Sequence, residues 1–117
     1  MKRFSLDTNK MEWKKEISNS TGQTLLKKYL LESDEDTGMS IEIIVYPKGY
    51  MNKWHHHPCS HSMYVLEGKL QTEDGHIYMP GEFVHFPEGE IMRHGAKDED
   101  CKILFITNKK FAMVYEE

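Results

Sequence analysis

The chain has 117 residues, 38% of them hydrophobic, a formal net charge of −4 and a pI near 6.0. That is one domain, large enough to bury a core without staples. The acidic balance and the lack of a basic patch argue against a nucleic-acid partner, and no apolar run approaches membrane-spanning length.

The N-terminus, MKRFSLDTNKMEW, has two early basic residues but no apolar stretch of the kind a secretory signal needs. Residues 1–20 show no clear period. Trp13 and Ile17 sit among lysines and glutamates, which fits a short helical turn, a first strand or an irregular arm lying on the remaining body, residues 21–117. Asn19–Gly22 is a turn cluster. Thr24–Glu32 has leucines that fit helix or strand, and the acidic turn Ser33–Gly38 after it favours a hairpin with the next segment. Met39–Tyr46 alternates, with Ile41, Ile43 and Val45 on one face and Glu42 on the other, and reads as a strand.

Gly49–Gly68 (GYMNKWHHHPCSHSMYVLEG) holds four of the seven histidines. On an extended segment His55 and His57 share a face and His56 points away. Pro58 interrupts the ladder, and His61 can return to the same point from the following strand, Met63–Leu66. Three imidazoles converging on one point are ligand chemistry for iron, nickel, copper or zinc. The competing reading is an inert surface tract or a cloning tag. Its internal position between Trp54 and Pro58 disfavours the tag, and the spacing of His61 disfavours a floppy loop.

Beyond Gly68, Asp74-Gly75 is the strongest hairpin signal. Short strands are expected at His76–Met79 and Phe83–Phe86, a core strand at Cys101–Thr107 and an edge strand within Phe111–Tyr115. Short strands at about ten-residue spacing, broken by Gly and Pro turns, predict an all-β chain: a small barrel or jelly roll. Cys59 and Cys101 are too few and too far apart for a disulfide scaffold, so a reducing cytoplasm is the expected address. Met63, Val65, Phe83, Phe86, Met92 and Phe105 are candidates for core or cavity wall. His85 is expected at the rim, and His76, exposed. Glu67 reads as an outward charge, and Cys59 as a buried thiol near the histidines.

Gly49, His55, His57, His61 and Gly68 have the spacing that resembles the first motif of the cupin superfamily, with His61 where that family usually has Glu. Gly81, Pro87 and Gly89 resemble its second motif, with the histidine displaced by two residues to His94. The resemblance implies a double-stranded β-helix, or jelly-roll, barrel. It implies a divalent transition metal (Fe, Mn, Ni, Cu or Zn) held by His55, His57, His61 and His94, and a small-molecule ligand or substrate. It also implies a homodimer, clasped in many cupins by an N-terminal arm.

Four neutral ligands would leave an octahedral ion two adjacent open positions but would close a tetrahedral zinc ion. Similarity to cupin dioxygenases points to a metal-dependent oxidoreductase. The alternatives are a metal- or ligand-sensing module, as in the cupin domains of anti-sigma factors, and a metal-dependent lyase or isomerase. The sequence shows no separate general base.

Overall fold

The computed structural model describes residues 1–117. Eleven strands follow one 3₁₀ turn at Thr8–Lys10: β1 Lys14–Ile17, β2 Thr24–Leu31, β3 Ser40–Tyr46, β4 His55–His56, β5 His61–Glu67, β6 Leu70–Thr72, β7 Ile77–Tyr78, β8 Phe83–Phe86, β9 His94–Ala96, β10 Cys101–Thr107 and β11 Val114–Tyr115. All pairings are antiparallel. The larger sheet has the order β1-β2-β3-β10-β5-β8; opposite it lie β7-β6-β9 and the pair β11-β4. The expectation of an all-β jelly roll holds.

Strands form where the sequence alternates, and β3 and β10 alternate buried with half-buried residues along their whole lengths. Ile44, Met63, Val65, Leu70, Met92, Ile103 and Phe105 meet in the core. Full burial of a side chain such as Met63 or Ile103 stabilises the fold by roughly 1.5–3 kcal/mol each. The predicted hairpin of β2 with β3 is present, turned through Asp34, whose carboxylate accepts from the backbone of Asp36 and Thr37.

The facing of β3 has an unexpected consequence. Ser40, Glu42, Ile44 and Tyr46 point inward, and Ile41, Ile43 and Val45 lie half-buried on the outer face. Period-two alternation separates two faces but does not say which one meets the core. Here the face with the carboxylate is the interior one.

The first residues lie across the outer face. Lys28 Nζ donates to Thr8 O at 2.8 Å, and the Trp13 ring sits under both Lys28 and Lys102. β4 ends at His56, just ahead of Pro58, which has no N–H to extend a ladder. Residues 50–55 are joined instead to the β9 region through bridges at Met51–Gly95 and His55–Met92. Those bridges bring the histidine segment alongside His94.

Candidate functional site

His55, His57, His61 and His94 are all buried, between 0% and 3% exposed. Their rings form a contiguous group: His55 to His57 4.7 Å between centroids, His57 to His61 4.7 Å, and His55 to His94 5.6 Å. β4 and the segment after it supply the first two, the start of β5 supplies the third, and the start of β9 the fourth. The alternation expected at 55–57 is observed. His56 turns outward to place Nδ1 2.6 Å from Glu116 Oε1.

Hydrogen bonding fixes the tautomers of two of these rings. His55 Nδ1 lies 2.6 Å from Lys53 O, and His57 Nδ1 lies 2.7 Å from Ala112 O. A carbonyl only accepts, so each Nδ1 carries the proton and each Nε2 keeps its lone pair. Both Nε2 atoms are buried without a partner, as are both ring nitrogens of His61 and Nδ1 of His94. Buried polar atoms are nearly always satisfied, so this concentration of unpaired nitrogens in one place is the strongest functional signal in the molecule.

Burial lowers the affinity of all four rings for protons. It holds His57 down to about 4 and His61 to about 3, with the neighbouring histidines adding to the effect. His55 is lowered and His94 falls well below the ordinary value, again through burial first. All four are therefore neutral, electron-pair-donating imidazoles near neutral pH. The side chains do not already stand in a ready-made metal cage, since no group of three or more His, Cys, Asp or Glu has that geometry.

Asn52 belongs to the site and its role was not legible in the sequence. Its Oδ1 accepts from the backbone N–H of His94 at 2.8 Å, and Nδ2 lies 3.4 Å from His94 Nε2. With Oδ1 engaged, Nδ2 faces the ring as a weak donor, so Asn52 both pins β9 and orients His94. Its only sequence signal was its position three residues before His55.

A cavity of about 80 Å³ opens beside His55, His57 and His94. One water needs roughly 10–15 Å³ on this measure, so there is room for a molecule of several heavy atoms. Leu25, Ile44, Tyr46, Tyr50, Phe105, Phe111 and Met113 give it apolar walls, and Lys27 and Glu42 add two charged groups to the lining. Phe105 is the one wall residue among those named from the sequence. Met63, Val65, Phe86 and Met92 are core, and Phe83 is 59% exposed because it pairs with Tyr64 on the outward face of the sheet, the face His85 shares. Cys59 is a fully buried thiol that burial keeps protonated. His85, exposed, pairs with Ser62 Oγ; His76 is exposed; exposed Glu67 meets Lys102.

Solved structures share the fold. A provisionally named acetylacetone dioxygenase from Methylibium petroleiphilum superposes with a TM-score of 0.85 at 11% identity, over all of this chain and 83% of its own. The polyketide cyclase RemF from Streptomyces resistomycificus gives 0.73 at 20% identity, over all of this chain and 87% of its own. A cupin-like protein from Thermotoga maritima gives 0.70 at 20%, over 86% of each chain. No functionally curated protein matches the sequence. The family of ChrR cupin-like domains matches residues 1–112, nearly the whole chain, and to that family this protein belongs.

Proposed function

We propose that this cupin binds a divalent transition metal through His55, His57, His61 and His94 and acts on a small organic molecule held in the adjoining cavity, as a dioxygenase-like oxidoreductase. The observation that carries the reading is the set of buried histidine ring nitrogens without hydrogen-bond partners, with His55, His57 and His94 on the lining of a cavity. The donors fit the group. Two Nδ1–H bonds to backbone carbonyls present Nε2 outward, which is the way metal-ligating histidines are usually held. No group of three or more His, Cys, Asp or Glu stands in metal-holding geometry here, so closing the set around an ion would require these side chains to reorient. Bound there, the metal would supply Lewis acidity and, if redox-active, an electron path. The chain's own residues supply the rest: an apolar wall, the charged Lys27 and Glu42, and Phe111, whose ring centroid lies 4.7 Å from that of His57.

Elemental analysis of protein purified without added metal, followed by oxygen uptake with diketones and catechols on the Fe(II)-loaded chain, tests the proposal. Sub-stoichiometric metal at every loading would end the metal reading; full metal with no turnover would end the oxidoreductase one. Two specific observations favour other activities on the same site. Membership of the ChrR cupin-like family favours a sensing module. The Glu42 carboxylate on the cavity lining favours metal-dependent lyase or isomerase chemistry, for which a proton acceptor is required.

A further inference from the structure

Among the inward residues of β3, Glu42 alone carries a charge, and it is only 6% exposed. Its Oε2 has no hydrogen-bond partner. The nearest cation, Lys27 Nζ on β2, stands 3.6 Å away, within ion-pair range but beyond a hydrogen bond. Lys27 is shared, since it lies equally far from Glu16 Oε1 on β1, and Glu16 in turn accepts from the Tyr29 hydroxyl. Glu42 and Lys27 line the same 80 Å³ cavity as His55, His57 and His94. They also line a depression that opens outward beside Glu16, Glu32 and Lys110.

A core needs no carboxylate at this point, and keeping one buried with an unfilled acceptor is costly. The neighbouring interior positions of the same strand, Ile44 and Tyr46, show what plain packing looks like. A buried acceptor without a hydrogen-bond partner on the lining of a cavity suits a ligand that brings the missing proton.

We propose that Glu42 accepts the acidic O–H proton of a small enol or phenol bound in this cavity, an inference that rests on the histidine site of the preceding subsection. The ligand's O–H bond breaks and its electron pair stays on the ligand oxygen. A new O–H bond forms at Glu42 Oε2, and nothing is oxidised or reduced. Lys27 remains an ammonium ion, its charge then balanced by Glu16. The ligand, now an anion, could offer its oxygen to a cation that the histidines would hold. Burial raises the Glu42 carboxyl above the ordinary carboxylate range, with Lys27 opposing and Glu16 and Glu32 reinforcing the shift. A carboxylate so placed is a stronger base than one in water. The reading also gives selectivity, because a molecule without an O–H would leave Oε2 unpaired, and sites of that kind reject such analogues strongly.

Catechol and pentane-2,4-dione are the probes, added to the full chain carrying ¹³C-labelled glutamate, with and without Fe(II) under anaerobic conditions. The expected result is that saturation with either probe moves the Glu42 carboxyl resonance to its protonated position. 1,2-Dimethoxybenzene, which has no O–H, should leave it in place. Glu42→Gln should weaken catechol binding tenfold or more with metal content unchanged. Should that variant not fold, the double change Lys27→Met with Glu42→Met removes both charges, a replacement buried pairs often tolerate. Catechol binding by either variant at wild-type strength overturns the proposal. So does an unmoved resonance at probe saturation, or failure of both probes to bind. Metal content separates the two readings. A chain that holds no metal yet protonates Glu42 with catechol sinks only the metal site, and a loaded chain with an indifferent Glu42 sinks only this inference.

Discussion

His57 and His61 show at single-residue scale how burial turns histidine from a proton acceptor into a lone-pair donor. In an unfolded chain each takes a proton near pH 6.5, whereas the folded chain holds them off until about 4 and about 3. Between those limits the unfolded state binds more protons, so stability rises with pH across the window and is lost as pH falls. For the metal-free protein we expect the unfolding free energy from urea denaturation to fall steadily from about pH 6.5 to 4, by several kcal/mol in total on an order-of-magnitude basis. His61→Gln should flatten part of that slope, and a level wild-type profile would contradict the assignment. Replacing His61 or His94 by Ala should abolish stoichiometric metal in elemental analysis while leaving the far-ultraviolet dichroism of the sheets intact. Metal retained at full occupancy in both variants would remove these residues from the site.

At the scale of elements, the C-terminal segment and β9 hold the histidines in place. The backbone of Ala112 fixes the His57 tautomer, and β11 pairs with β4 along His55 and His56. Removing residues 111–117 should weaken metal binding by roughly 10–100-fold, the usual effect of losing partners that orient a ligand. Competition with a chromophoric chelator would measure it, and unchanged affinity would show that the segment is only a cover. In β9, Gly95 lies so close to the 50–51 segment that an added Cβ would fall 1.7 Å from Tyr50 O, and both neighbours are backbone. Gly95→Ala must therefore push the strand, and His94 with it, away from His55. We expect a loss of several kcal/mol or failure to fold, since backbone overlap has no rotamer to relieve it. Gly89→Ala is the contrast. It has open space around it but φ of +81°, and should cost only about 1 kcal/mol in thermal or urea denaturation.

For the whole molecule, the open question of assembly falls on the outer face of the large sheet. Ile41, Ile43 and Val45 from β3 share it with Leu104 and Ile106 from β10, and only part of it lies under the Trp13 arm. We expect a homodimer through this face. Sedimentation at micromolar concentration should give twice the 13.8 kDa chain mass, and Ile43→Lys should shift it toward monomer. A wild-type protein that sediments as a monomer would leave that face as ordinary surface. No helix is long and apolar enough to cross a membrane.

What could be read without coordinates were properties of short range. Turn residues and alternation placed the strands, and the 55-57-61 spacing put three histidines on one side of an extended chain, because both depend on a few consecutive bonds. His94 was reached through resemblance, and its position beside His55 depends on the Met51–Gly95 and His55–Met92 bridges, which no local pattern encodes. The side of β3 that faces inward was decided by tertiary pairing. Alternation is symmetric until another layer covers one face, and only then does Glu42 become the cavity's carboxylate instead of a surface charge. The same holds for Asn52, an ordinary loop residue until β9 packs beside it. The sequence by itself determined the kind of chain and most of its donors; the three-dimensional closure of the sheets decided which polar groups would share one enclosed space, because burial is a property of the packed whole.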